Sequence, residues 1–221
     1  MKLFLYHHCP FCIRPRLVAD LKSLNIPIHI FANDDEQAHY DLVGKKIVPI
    51  LQNHDGNYMT ESLDICHFID QSDGSPITKP SMENKKINEL IKQLTAKAKY
   101  LTHPRQIFHP MNRDDFPTQT AKDYFRKKKE ASIEMSFEDA IKRSDSFAKP
   151  VQQTLQALND EMIYKYATCD YFTEDDVHIF PVLHSLTLAL DALSLPENIN
   201  NYLNCIYQKT NIKPYGDFQY F

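Results

Sequence analysis

Cys9-Pro10-Phe11-Cys12 puts two thiols on one turn of chain directly after the apolar run Leu3 to Tyr6. A C-x-x-C at the junction of a strand and a helix sets the first sulfur at the helix N-terminus, where unpaired N–H groups and the positive dipole end favour a thiolate. That assigns nucleophilic attack to Cys9. Pro10 suits the first helical position, since its missing N–H is one the helix leaves unpaired anyway. Cys12 lies one turn on, where it can attack the disulfide that Cys9 forms. The same spacing is also half of many zinc sites. Against metal, Cys66, Cys169 and Cys205 stand alone, and His7 and His8, as consecutive strand residues, point to opposite faces. The expectation is redox chemistry with no metal.

Positioning these thiols falls to a chain of 221 residues, long enough for one large or two small domains with real cores. A net charge of −4 gives no general case for nucleic-acid binding. The one dense basic run, Arg126-Lys127-Lys128-Lys129, is followed by Glu130 and reads as a solvated helical face. No apolar stretch approaches the ~20 residues of a membrane span, and Met1-Lys2 leads directly into a strand, so the expected location is the cytoplasm. In that reducing compartment an odd number of scattered cysteines argues against a structural disulfide framework. Cys66, Cys169 and Cys205 are then expected to be small buried hydrophobes.

Up to residue 72, short β-branched and aromatic runs (3–6, 26–31, 48–52 and 57–60) alternate with helical stretches at 11–24 and 37–43, and Asn53-His54-Asp55-Gly56 reads as a hairpin turn. The order predicts a small mixed sheet with helices on both faces, an α/β thioredoxin-like domain over 1–72. The polar segment from Gln71 to Pro76 marks a break, with a linker over 73–83. Beyond it the periodicity is helical. Ile87, Leu90, Ile91, Leu94, Ala98 and Leu101 form one stripe; Val151, Leu155, Leu158 and Met162 a second; Leu183, Leu186, Leu190 and Leu193 a third. The domain over 84–221 is therefore expected to be all helical. Thr173 and Asp176 have the spacing of a capping box.

Two further motifs bear on chemistry. Val48-Pro49 opens a strand, where proline is tolerated, and a cis bond there would offer the Val48 backbone to an extended peptide-like ligand. Glu61-Ser62 heads a helix, where exposed N–H groups and a hydroxyl suit a carboxylate and the acid an ammonium. Plain helix capping by Thr60 or Ser62 is the competing explanation.

Taken together, Cys-Pro-Phe-Cys after a first strand, Val48-Pro49-Ile50-Leu51, Glu61-Ser62, Tyr124-Phe125 with Lys128-Lys129-Glu130-Ala131-Ser132, and the stretch from Thr173 to Pro181 resemble the glutaredoxin 2 family. That resemblance implies a glutaredoxin domain joined to a helical domain of glutathione-transferase type. It implies Cys9 as nucleophile, Cys12 as resolving thiol, a cis Pro49, and a glutathione site lined by Phe11, Val48, Pro49, Glu61 and Ser62. Phe11 stands where tyrosine is common in the family, so no phenol hydrogen bond is available there. Pro15 falls inside the first helix, and His7 and His8 are read as solvent-facing.

The function implied is glutathione-dependent reduction of protein–glutathione mixed disulfides and disulfides, with glutathione as co-substrate and glutathionylated or disulfide-bonded proteins as partners. Arg14, Arg16, Lys45 and Lys46 are candidates for a carboxylate of glutathione, each weighed against an ordinary surface cation. The chain is expected to be a monomer, as no long exposed apolar stripe stands out. The alternatives are a glutathione transferase, which shares the two-domain plan, and a non-catalytic glutathione-binding module.

Overall fold

The computed structural model describes residues 1–162 and 171–216. The chain begins β1 (Lys2–Leu5), α1 (Pro10–Leu21), β2 (Ile28–Ile30), α2 (Glu36–Val43), β3 (Ile50–Gln52), β4 (Tyr58–Met59) and α3 (Ser62–Gln71). The four strands form one sheet in the order β2-β1-β3-β4. β1 runs parallel to β2, with Leu3 opposite Ile28, and antiparallel to β3, with Phe4 opposite Ile50; β4 closes the hairpin. The hairpin turn is the expected one, with Gly56 at a positive φ of 86° that glycine takes at no steric cost. α1 and α3 cover one face around Leu3, Leu5, Leu51, Ile65 and Ile69, and α2 lies with Phe4, Phe31 and Ile50 on the other.

The second part comprises α4 (Lys85–Gln106), α5 (Gln119–Ile133), α6 (Phe137–Lys142), α7 (Ser144–Glu161), α8 (Glu174–Leu186) and α9 (Glu197–Lys209). The stripe from Ile87 to Leu101 is buried along α4, and Val151, Leu155, Leu158 and Met162 are buried at the end of α7. The third stripe is not one helix. α8 ends at Leu186, Thr187–Ala189 form a 3-10 turn, and Leu190 is half-buried while Leu193 is buried.

Among the described residues this part is helical with one exception that the sequence did not signal. Phe172–Thr173 pair in parallel with Thr78–Lys79, so two residues of the linking segment form a small second sheet with the start of α8. Two-residue strands are too short for alternation to show. The capping box stands: the Thr173 N–H donates to Asp176 Oδ2 at 2.7 Å and the reciprocal bond is present.

α1 belongs to both halves. Its Cys12, Val18 and Ala19 join the sheet-side cluster, while Ile13 and Leu17 are buried with Leu94, Leu155, Phe180 and Leu183 of the helical part. The helix that carries the dithiol is thus wedged between two cores, and its N-terminus opens at their seam. Among the described residues no helix is long and apolar enough to cross a membrane.

Candidate active site

Cys9 is the N-cap residue of α1, with Pro10 at the first helical position. The Cys9 carbonyl accepts from the N–H groups of Cys12 at 2.9 Å and Ile13 at 3.2 Å, which fixes the turn. Cys9 is half-buried and Cys12 wholly buried, and both thiols are free. The two sulfurs differ in ionisation. A hydrogen bond from the Cys12 thiol brings the Cys9 thiol down to about 7, against the burial that opposes ionisation; the charge of His8 and the N–H groups of Cys12 and Phe11 add to the fall. Burial first, then the hydrogen bond and charge of Cys9, push Cys12 well above the ordinary cysteine value. The outer sulfur is therefore the one of the pair that ionises first.

The segment entering Cys9 is held from the helical part. Asp115, wholly buried, accepts from the His7 N–H at 2.8 Å and the His8 N–H at 2.9 Å, and its Oδ2 lies 2.7 Å from His8 Nδ1. His8 is stacked between Tyr6 and Phe116, with both ring centroids 5.1 Å away. Neither histidine is solvent-facing as expected: the side chains are 28% and 10% exposed. His8 is fixed because a carboxylate far along the chain turns toward it. No local pattern announces such a contact, so Asp115 was not a candidate from sequence.

Cys9 opens into a cavity of about 490 Å³ between the two parts, lined on the near side by Phe11, Arg14, Lys46 and Val48 and on the far side by α4, α5 and α8. Phe11 is 54% exposed at its mouth. The Val48–Pro49 bond is cis, as expected, and Pro49 is buried outside the lining. Glu61 and Ser62 lie outside the lining, but Arg14 connects Ser62 to it: its Nη1 donates to Ser62 Oγ at 3.1 Å, and its guanidinium sits 4.8 Å from the Phe11 ring centroid. Arg14 is thus not an ordinary surface cation, and its Nε is buried with no hydrogen-bond partner among the described residues.

The head of α3 also departs from simple capping. Glu61 is the N-cap with no side-chain cap bond, at φ 67° and ψ 106°, while Ser62 is buried and turned to Arg14. A non-glycine residue held there costs on the order of 1–3 kcal/mol and persists only where its surroundings impose it.

Of the other basic candidates, Lys46 is half-buried, donates to the Asn33 carbonyl at 2.6 Å and lies 3.8 Å from the Tyr124 ring centroid; burial brings it down to about 8. Lys45 is exposed, and Arg16 is half-buried outside the lining. Cys66 is buried as expected and burial pushes its thiol up to about 12. Cys205 is not a free buried thiol: it is half-buried and disulfide-bonded, contrary to the expectation drawn from compartment alone. Cys169 lies outside the described residues. Among the described residues no group of His, Cys, Asp and Glu is arranged to hold a metal ion.

Comparison with known proteins agrees with this geometry. Residues 86–218 match the family described as glutaredoxin 2, C-terminal domain, and residues 8–72 match the glutathione S-transferase N-terminal domain. Glutaredoxin 2 of Escherichia coli strain K12 is 35% identical over 212 residues, covering 96% of both chains. The crystal structure of glutaredoxin 2 from Salmonella typhimurium in complex with glutathione superposes with a TM-score of 0.89 at 33% identity, covering 97% of this chain and 96% of that one. Gtt2 of Saccharomyces cerevisiae, at 15% identity and a TM-score of 0.54 over 97% and 98% of the two chains, shares the fold alone.

Proposed function

The chain belongs to the glutaredoxin 2 family, and we propose that it reduces glutathione mixed disulfides through Cys9, with Cys12 as the resolving thiol. The observation that carries this reading is the asymmetric pair: an outer sulfur whose thiol is brought to about 7 and an inner one held protonated, opening on a cavity large enough for a tripeptide. Glutathione in the Salmonella relative's structure supports the same ligand here.

The Cys9 thiolate attacks the glutathione sulfur of a mixed disulfide; a Cys9–glutathione bond forms, and the other thiol leaves as thiolate and takes a proton from water. A second glutathione, as thiolate, attacks that glutathione sulfur, yielding oxidised glutathione and the free Cys9 thiolate. One disulfide is reduced and one formed at glutathione's expense. In the dithiol route Cys12 attacks Cys9 instead, releasing glutathione and closing Cys9–Cys12. Loss of the Cys9 charge removes one of the causes that held Cys12 protonated, so the first step prepares the second.

Phe11 and Val48 bound the cavity beside Cys9, and Pro49 follows Val48 across the cis bond. In this reading the N–H groups of α3, Ser62 and Arg14 receive one carboxylate of glutathione, Glu61 its ammonium, and Lys46 its other carboxylate. Glutathionylated or disulfide-bonded proteins are the proposed partners. The domain division proposed is 1–72, with 73–83 as the link and 84–221 helical.

Glutathione-coupled reduction of a small mixed disulfide tests the function. Activity lost in Cys9→Ser and retained in Cys12→Ser is expected. Conjugation of an electrophilic aromatic without disulfide reduction would point to a transferase, and the absence of both to a binding module.

A further inference from the structure

The cavity into which Cys9 opens carries charged side chains of one sign. Arg14, Lys46, Lys99, Lys128 and Lys129 line it and no aspartate or glutamate does, although the chain as a whole carries −4. Of the nearest carboxylates, Asp34 accepts from Thr120, Asp35 caps α2 and Asp115 holds His8, while Glu36 accepts from Tyr124 and pairs with Lys46 at 3.8 Å, within reach of the Lys128 charge. Two of the cations suffice for the carboxylates of glutathione, and Arg14 and Lys46 stand on its side of the cleft. Lys99 donates to the Ser132 carbonyl at 2.9 Å.

Lys128 and Lys129 of α5 are left over. Neither ammonium has a carboxylate or hydrogen-bond partner among the described residues; their contacts are the faces of Tyr124 and Phe125, at 5.7 and 5.6 Å. Lys129 is half-buried, and burial lowers its ammonium below the ordinary lysine range while the Cys9 charge acts to raise it. The Lys129 ammonium, drawn from water with no carboxylate beside it among the described residues, is a site that a carboxylate completes. The basic run read from sequence as a solvated face is therefore divided: Arg126 pairs with Glu138 at 2.6 Å, Lys127 is exposed outside the lining, Lys128 is exposed at the cleft and Lys129 lines it half-buried.

Thiol–disulfide exchange proceeds with the three sulfurs close to a line, so the leaving thiol lies beyond the glutathione sulfur, away from Cys9 and toward the far side of the cavity. We propose that the enzyme selects mixed disulfides in which glutathione is joined to a cysteine flanked by acidic residues of a peptide chain, with Lys128 and Lys129 receiving the flanking carboxylates. This rests on the function proposed above. The exchange is unchanged: Cys9 takes the glutathionyl group, and the acidic peptide leaves as its thiolate and is protonated by water.

The test uses three blocked, glutathionylated cysteine peptides with glutamate, glutamine or lysine on both sides of the cysteine, assayed by glutathione-coupled reduction. Expected is a kcat/KM for the glutamate peptide on the order of ten-fold above the glutamine peptide and higher again than the lysine peptide. That ratio should shrink as salt approaches 1 M, where screening acts within about 3 Å. In the double variant Lys128→Gln/Lys129→Gln and in each of its single variants the ratio should fall toward one, while Lys127→Gln, which removes one charge from the same helix outside the lining, keeps it. Because each ratio is internal to one protein, partial loss of folded enzyme does not change it. Equal rates for the glutamate and glutamine peptides, or equal loss of preference in Lys127→Gln, would overturn the proposal while leaving the glutaredoxin reading intact. Reduction of none of the three would overturn both.

Discussion

The chemistry at Cys9 depends on a few neighbours that can be tested singly. His8→Gln removes a charge that favours the thiolate, so the pH midpoint for alkylation of Cys9 should move upward from about 7. A linked effect appears in stability. Cys9 has a folded value near 7, below its unfolded one, so the stabilisation it contributes is present above the unfolded value and lost as pH falls through 7. Denaturant titrations of the reduced protein against Cys9→Ser should show a gain on the order of 2 kcal/mol between pH 6 and pH 9. Cys12 opposes this at higher pH, because its buried thiol stays protonated in the fold but ionises when unfolded. A flat difference would mean that Cys9 is an ordinary thiol. The dithiol itself was legible because its signal is local, a spacing at a strand–helix junction. Asp115, which lies more than a hundred residues from His8 and contacts it at 2.7 Å, was not.

At the scale of elements, the head of α3 separates binding from architecture. Ser62 does not cap the helix but accepts from Arg14, so Ser62→Ala should lower the melting temperature only by the loss of that contact while raising the KM for glutathione about tenfold, the equivalent of ~1.4 kcal/mol. Glu61→Gly should do two things at once: relax a positive φ and raise stability by about 1 kcal/mol, and weaken glutathione use by removing the carboxylate. A variant both less stable and unchanged with glutathione would remove Glu61 from the site. The Glu-Ser pair was readable as a motif, but its backbone strain was not, since glutamate carries no preference for positive φ. Long helices were read well where one buried stripe ran through a single element, as along α4. The stripe from Leu183 to Leu193 misled because apolar spacing continues across the end of α8 into a 3-10 turn.

Over the whole molecule the two parts read as separate in sequence because composition changes at the link, yet they share α1. The prediction is one cooperative transition, in which exposure of Cys12 coincides with loss of helical signal on heating. Residues 1–72 alone should melt at much lower temperature, since Ile13 and Leu17 lose their cover. Asp115→Ala belongs to this scale as well. It leaves two backbone donors and an imidazole without their acceptor, at a cost of about 3 kcal/mol or more, and should loosen the segment entering Cys9. Two separated transitions would contradict the shared core. Cys205 marks where reasoning from compartment overrode position: a lone cysteine in sequence says nothing about what the fold brings beside it.

The most direct test of the central proposal is the fate of the glutathionyl group in a single turnover. Cys12→Ser is mixed with one equivalent of a glutathionylated peptide, quenched with acid and mapped by mass spectrometry. The predicted result is a glutathionyl group on Cys9 and a free peptide thiol, with the adduct cleared on adding glutathione. The peptide joined to Cys9 with glutathione released, or no adduct on Cys9 at all, would contradict it.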